Sequence, residues 1–342
     1  EDLRNCRPTV FFAVPRVWEK FQEAVVAKIA AEHGLTKLFI DRYLGLGGHV
    51  IAGHGAAVRA PVWEQVPYQV LDRLVGAKIR HELGLDQAHI LITAAAPIHP
   101  DLIRWFHAIG LPLVELYGQT EACGPSTCNP PDDNRIGTVG QPIPGVALRI
   151  ADDGEILVRG GNVCAGYFRD EAASAGLVDD EGWMHSGDVG RVDDDGYLTI
   201  VGRKKDLIIT AAGQNIAPQE IETDLRLYEL ISEAVVIGEG RRYLTALLTL
   251  GGDALVAWAQ AHGKVADYES LTVDPDLHAE MSRIVDEVNA KRSRVEHVRK
   301  FRVLPHEFTI AAGEMTPTLK VKRNVINATY AALIDEMYAM DH

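Results

Sequence analysis

Apolar residues recur at helical intervals near the start of the chain: Val14, Trp18, Phe21, Val25 and Ile29 predict a helix over 14–33, with Pro15 near its start and Gly34 at its stop. A second helix is predicted over 69–83, stopped by Gly84. The period then shortens. "HILIT" (89–93) is a short apolar run, "PDLIRWFHAIG" (100–110) sets Leu102, Ile103, Phe106 and Ile109 on one helical face, and "PLVELYG" (112–118) is a second apolar run. Strand, helix and strand at this spacing form a βαβ unit, which requires parallel strands and a right-handed crossover. The connections "TAAAPI" (93–98) and "YGQTE" (117–121) then leave the same carboxyl edge, where open α/β sheets bind ligands. Ala95, Ala96 and Pro97 leave room there for a flat ligand. Tyr117 supplies an aromatic face and Gly118 is expected to make a turn. Gln119, Thr120 and Glu121 follow as three polar side chains, among them a hydroxyl and a carboxylate.

After residue 136 the pattern becomes short alternating strands with Asp-Gly turns at 153–154 and 195–196, which predicts a small distorted β-barrel over about 137–202. A further change at "GRKKD" (202–206) opens a small α+β segment: "DLIIT", a turn at "AGQN", a helix from about Pro218, then "AVVIG" and "LTALLTL". Residues 276–292 place Leu277, Met281, Ile284, Val285 and Val288 on one helical face. The expected division is therefore 1–202 and 203–342, with a junction near 203–206. The glycine-rich "GLGGHVIAGHG" (45–55) matches neither GxxxxGK[ST] nor GxGxxG, and reads as a structural loop or a loosely packed helix.

Composition narrows the function classes. The 342 residues carry 48 acidic and 34 basic side chains, a net charge of −14, so nucleic-acid binding would work against the overall field. The acidity fits a soluble cytoplasmic protein. Cys6, Cys123, Cys128 and Cys164 form no CxxC pair and read as free thiols in a reducing compartment. The 13 histidines show no HExxH or comparable zinc spacing. No apolar run approaches the roughly 18 residues of a membrane span, and no signal peptide opens the sequence. The opening "EDLRNCRPTVFFAVPRVWEK" reads like the middle of a domain, so the chain is expected to be a portion of a longer protein.

With "YGQTE", "GEILVRGGNVCAGYF", "GWMHSGD", "GYLTIVGRKKD" and "TPTLKVKR" all in order, the chain resembles the adenylate-forming superfamily, and within it long-chain fatty acyl-CoA synthetases. The resemblance implies an α/β fold: the remainder of a large N-terminal AMP-binding domain, then a small mobile α+β C-terminal lid. It implies activation of a fatty acid with ATP and Mg²⁺ to an acyl-adenylate, followed by a swing of the lid and transfer to coenzyme A. Tyr117 would stack on adenine beside the 94–97 loop, which takes the place of a glycine-rich loop. Gly118, Gln119 and Thr120 would line the nucleotide, Thr120 donating to the α-phosphate, and Glu121 would hold Mg²⁺. Asp188 would accept both ribose hydroxyls, with Arg203 as a second ribose and phosphate contact. Lys205 falls at the hinge, and Gly213 at the loop lining the pantetheine tunnel. Lys320 aligns with the lysine that enters the site during adenylation. Many relatives have glycine before that lysine where this chain has Leu319, which leaves Lys322 as an alternative register.

Plainer readings exist beside these. Glu121 could cap a turn, Asp188 could be a turn aspartate, Gly213 could simply make its turn, and Lys204, Lys205 and Lys320 could be solvated. The lysine-bearing phosphate loop of the family is absent from the chain, so the portion alone is expected to have little or no activity. Two alternatives remain: a fatty acyl-AMP ligase that feeds a carrier protein, and a non-catalytic adenylate-binding relative. Trp18, Trp105 and Phe106 are core or pocket wall. Peripheral membrane contact would suit fatty-acid uptake. Val325, Ile326, Leu333, Ile334 and Met337 could serve it, although that face reads more simply as domain core.

Overall fold

The computed structural model describes residues 2–52, 61–131, 133–317 and 319–339. Residues 53–55 of the glycine-rich stretch and Thr318 therefore lie outside it. The chain forms two compact units, Glu1–Ile200 and Val201–His342.

The first unit opens with α1 (Asp2–Cys6), β1 (Val10–Ala13), α2 (Pro15–Ala30) and α3 (Gly34–Ala52). Helix α3 absorbs most of the glycine-rich stretch. A side chain at Gly47 would collide with the Ala108 carbonyl, so glycine there permits close helix packing. The helix expected from residue 69 starts earlier, as α4 (Val62–Leu71), and continues through a π-turn (Asp72–Gly76) into α5 (Ala77–Leu83). Pro67 lies inside α4, although proline usually interrupts a helix. The π-turn carries Asp72 to the buried Tyr43, whose hydroxyl donates to Asp72 Oδ1 at 2.6 Å. Arg80 Nη1 donates to the same oxygen at 2.6 Å and to the Ile109 carbonyl at 2.8 Å. Burial pushes the Asp72 carboxyl up, but hydrogen bonds from Arg80 and Tyr43 outweigh it and hold it below its ordinary range.

Next come β2 (Ile90–Thr93), α6 (Pro100–Ala108), β3 (Leu113–Gln119), β4 (Gly124–Cys128) and β5 (Gln141–Pro142), making one sheet in the order β1-β2-β3-β4-β5. Strands β1, β2 and β3 are parallel, with Phe12, Ile92 and Val114 in register, whereas β4 and β5 are antiparallel additions. Leu91 and Leu113 pack beneath α2 and α6, where Trp18 and Phe106 meet edge-to-face at 5.0 Å. Both rings are fully buried, so they are core. The β-rich segment is β6 (Val146–Ile150), β7 (Glu155–Gly160), α7 (Glu171–Ala175), β8 (Met184–Val192) and β9 (Leu198–Arg203), a four-stranded sheet with neighbours in chain order. It curls at its end: Leu198 O accepts from Val139 N, and Leu198 N donates to Gly140 O.

In the second unit, β10 (Ile208–Ile209) and β11 (Asn215–Ile216) form a hairpin ahead of α8 (Pro218–Leu225). Strands β12 (Ile231–Ile237) and β13 (Leu244–Leu250) are antiparallel. After α9 (Gly252–Ala261), α10 (Tyr268–Leu271) and α11 (Pro275–Asn289), β14 (Val298–Val303) joins β13 in parallel. Every residue of β13 is buried, because α8 and α11 cover one face while α12 (Arg323–Thr329) and α13 (Ala331–Ala339) cover the other. Ile326, Ile334 and Met337 are therefore core, as the plainer reading expected. Among the described residues no helix is long and apolar enough to cross a membrane.

Candidate nucleotide site

The two connections do leave one edge of the parallel sheet, since Thr93 at the end of β2 lies in register with Glu115 of β3. Ala95, Ala96 and Pro97 are exposed, flanked by buried Ala94 and Ile98. Ala95 has φ +74°, a left-handed conformation that favours glycine. Alternation along β3 puts Glu115 and Tyr117 on the face that Leu113 gives to the core. Burial pushes the Glu115 carboxyl up to about 8.

Gly118 does not make the turn expected of it. It lies within β3 at a β-bulge, and a methyl group there would fall inside the Gly124 carbonyl oxygen. The turn comes later, as a 3₁₀ segment Thr120–Ala122 followed by Cys123 at φ +52°. Thr120 is exposed at its start. Glu121 Oε1 accepts from the Tyr167 hydroxyl at 2.8 Å, and the Glu121 carbonyl accepts from Cys164 N at 2.8 Å. That hydrogen bond holds the Tyr167 phenol above its ordinary range. Gln119 Nε2 reaches Met184 Sδ at 3.9 Å.

The structure brings Tyr117 and Asp188 together although 71 residues separate them: the Tyr117 hydroxyl donates to Asp188 Oδ2 at 2.8 Å. Asp188 is 5% exposed, and its N–H donates to Ser186 Oγ at 3.1 Å. Asp188 is therefore not a turn aspartate: it lies within β8, where the register against β7 shifts, and sequence reasoning missed the residue beneath it. Buried Glu155 accepts from Gly187 N at 2.9 Å and pairs with His185 Nδ1 at 3.1 Å, fixing the "HSGD" segment from β7. Its signal was available: an acid opening the apolar run "EILV" has no place in a sheet core unless something bonds to it. Tyr167, the partner of Glu121, lay unread in the same way within "GYF".

The remaining candidates belong to the second unit. Arg203 ends β9, and Lys205 lies in a 3₁₀ segment, Lys204–Asp206; all three basic side chains are exposed. Gly213 has φ +77° in the β10–β11 turn, where its N–H donates to Thr210 O at 2.8 Å, so the turn by itself calls for glycine. Lys320 is exposed on a short hairpin, with Lys322 at the start of α12. Leu319 has φ +59°, a left-handed conformation that favours glycine.

A half-buried ring thus bonds a buried carboxylate at the edge of the parallel sheet, and an α+β unit follows in the chain. The adenylation domain of a carboxylate reductase from Mycobacterium chelonae superposes with a TM-score of 0.68 at 19% identity, over 99% of this chain and 48% of that one. The AMP-binding enzyme profile matches residues 1–168, and the AMP-binding enzyme C-terminal domain profile matches residues 205–342. The chain belongs to the AMP-binding, adenylate-forming enzymes. It is 41% identical over 338 residues to the long-chain-fatty-acid–CoA ligase FadD15 of Mycobacterium bovis, covering 97% of this chain and 55% of the ligase. It is 35% identical over 360 residues to the long-chain-fatty-acid–CoA ligase ACSBG2 of Xenopus laevis, covering 98% and 48%. The chain thus spans about half the length of the curated relatives it matches.

Proposed function

We propose that the protein to which this chain belongs activates a fatty acid with ATP to an acyl-adenylate and passes the acyl group to coenzyme A. The observation that most supports this reading is the Tyr117–Asp188 hydrogen bond, which joins an aromatic ring to a buried carboxylate at the sheet edge. A ring held at its hydroxyl presents a fixed face to adenine, and Asp188 offers acceptor oxygens to the ribose. Thr120 would donate to the α-phosphate. Glu121 suits Mg²⁺: it is a hard oxygen donor with Oε1 engaged by Tyr167, and magnesium favours one or two carboxylates together with phosphates. When bound, the ion would neutralise phosphate charge. Lys320, carried by the second unit, would bring a point cation to the reacting carboxylate and α-phosphate. The junction at 203–206, with exposed Lys205, would serve as the hinge, Arg203 would contact ribose and phosphate, and Gly213 would line the pantetheine tunnel in the thioester-forming state. Handling fatty acids suits work at a membrane surface, although Ile326, Ile334 and Met337 are buried and would not mediate it.

The test is mass-spectrometric detection of palmitoyl-AMP and palmitoyl-CoA after incubation with MgATP, palmitate and CoA. The 342-residue chain would be compared with the product of its complete reading frame. Thioester from the complete product is expected, with little or none from the chain, because the lysine-bearing phosphate loop is not among these residues. Persistent adenylate without thioester would favour a fatty acyl-AMP ligase. Neither product from either protein would overturn the catalytic reading.

A further inference from the structure

Lys320 sits on a hairpin whose geometry is held from below. Thr316 N donates to Lys320 O at 2.8 Å, Lys320 N donates to Thr316 Oγ1 at 3.0 Å, and Met315 bridges Val321. The stem starts at Glu314, whose carbonyl accepts from Lys322 N at 2.7 Å. Glu314 is 3% exposed, and both carboxylate oxygens are engaged: Oε2 accepts from Thr309 N at 3.0 Å, and Oε1 from the Tyr330 hydroxyl at 2.9 Å. Tyr330 stands between α12 and α13, its N–H donating to Ile326 O at 3.0 Å. Burial, then the Glu314 bond, hold its phenol above its ordinary range.

A buried carboxylate carries a desolvation cost that an apolar side chain would avoid, and charge-assisted hydrogen bonds offset it only in fixed geometry. Leu319 is itself in an unfavourable conformation, left-handed at φ +59° although it carries a Cβ. A strained residue on a short stem keeps its conformation only where the base is over-determined. Glu314 supplies that, tying the stem to the turn at Thr309 and to the helix junction at Tyr330.

We propose that Glu314 and Tyr330 are positioning residues for Lys320, setting where its ammonium lies when the adenylate forms. This rests on the reading of Lys320 as the adenylation lysine. The test uses Glu314→Gln, Tyr330→Phe and Lys320→Ala in the product of the complete reading frame. Two half-reactions are measured: adenylate formation from palmitate and MgATP, and thioester formation from supplied palmitoyl-AMP and CoA. Glu314→Gln and Tyr330→Phe are expected to lower kcat for adenylation about 10- to 100-fold, with KM values within about twofold. The thioester step should stay unchanged. Parallel losses in both half-reactions would indicate a merely structural role and overturn the proposal. If Lys320→Ala leaves adenylation intact, the functional reading fails. If Lys320→Ala abolishes adenylation while the other two do not slow it, the positioning role fails. In the 342-residue chain alone, Tyr330→Phe should raise amide hydrogen exchange at 315–322 about tenfold while β12 and β13 stay protected; unchanged exchange would also overturn it.

Discussion

The two units hold their candidate residues in opposite ways. In the first, Tyr117, Glu121 and Asp188 are each engaged by a partner distant in the chain. In the second, Lys205, Gly213 and Lys320 are exposed on turns and short segments. The first arrangement is preorganised: bonds made before a ligand arrives need not be ordered at binding. The second carries its candidate cation, Lys320, on an exposed hairpin whose base is tied down by Glu314, which on the proposed reading would suit a group needed in one step of a reaction and withdrawn in the next. On the proposed reading, the difference would divide recognition and chemistry between held and presented residues, and substitutions can test that division.

The largest contrast should come from two glycines. Gly118→Ala forces a methyl into the Gly124 carbonyl and is expected to cost about 3 kcal/mol or more, or to prevent folding. Gly213→Ala meets nothing within 4 Å and pays only for its positive φ, about 1 kcal/mol. Thermal unfolding of both variants would check this, and similar losses would break the comparison. Next in size is nucleotide affinity. Asp188→Ala should weaken AMP binding about 100-fold by calorimetry, whereas Lys320→Ala should leave it within about twofold. A large loss from the lysine variant would mean that the second unit shares in recognition.

A pH effect sharpens the account of the first unit. Glu115 titrates near 8 in the folded chain, so between about pH 5 and 8 the native state keeps a proton that the unfolded chain has released. Stability should fall as pH rises through this window and level off above it. Glu115→Gln should flatten that dependence and make the chain the more stable one at pH 8, read as Tm at pH 5.5 and 8. The smallest effect concerns two backbones. Leu319→Gly and Ala95→Gly each relieve a left-handed residue, with a gain of about 1 kcal/mol or less after the entropy cost of glycine. A loss of Tm in either variant would show that the side chain contributes more than its backbone costs.

Much of the architecture is legible along the chain. The strand–helix–strand run from 89 to 118 is marked by a change of apolar period, and "LTALLTL" is marked as part of the α+β segment, whereas the burial of Thr245 and Thr249 along with the apolar residues of β13 is not. Helix α4 is less so, because Pro67 is a stop signal that surrounding packing overrides. The π-turn at Asp72–Gly76 has no sequence mark at all. It exists because Tyr43 and Arg80 converge on one carboxylate.

What the sequence determined alone was local: periodicity, the Asp-Gly turns whose Gly154 and Gly196 take φ +85° and +87°, and the order of motifs that marks the family. These depend on residues a few positions apart, whose steric and solvation preferences act wherever the segment lies. The tertiary structure alone decided that Gly118 sits in a bulge, that Glu155 holds the stretch of β8 before Asp188, and that Tyr117 donates a hydrogen bond to Asp188. A hydrogen bond needs its atoms within about 3 Å, and across 71 residues only strand register and core packing bring them there.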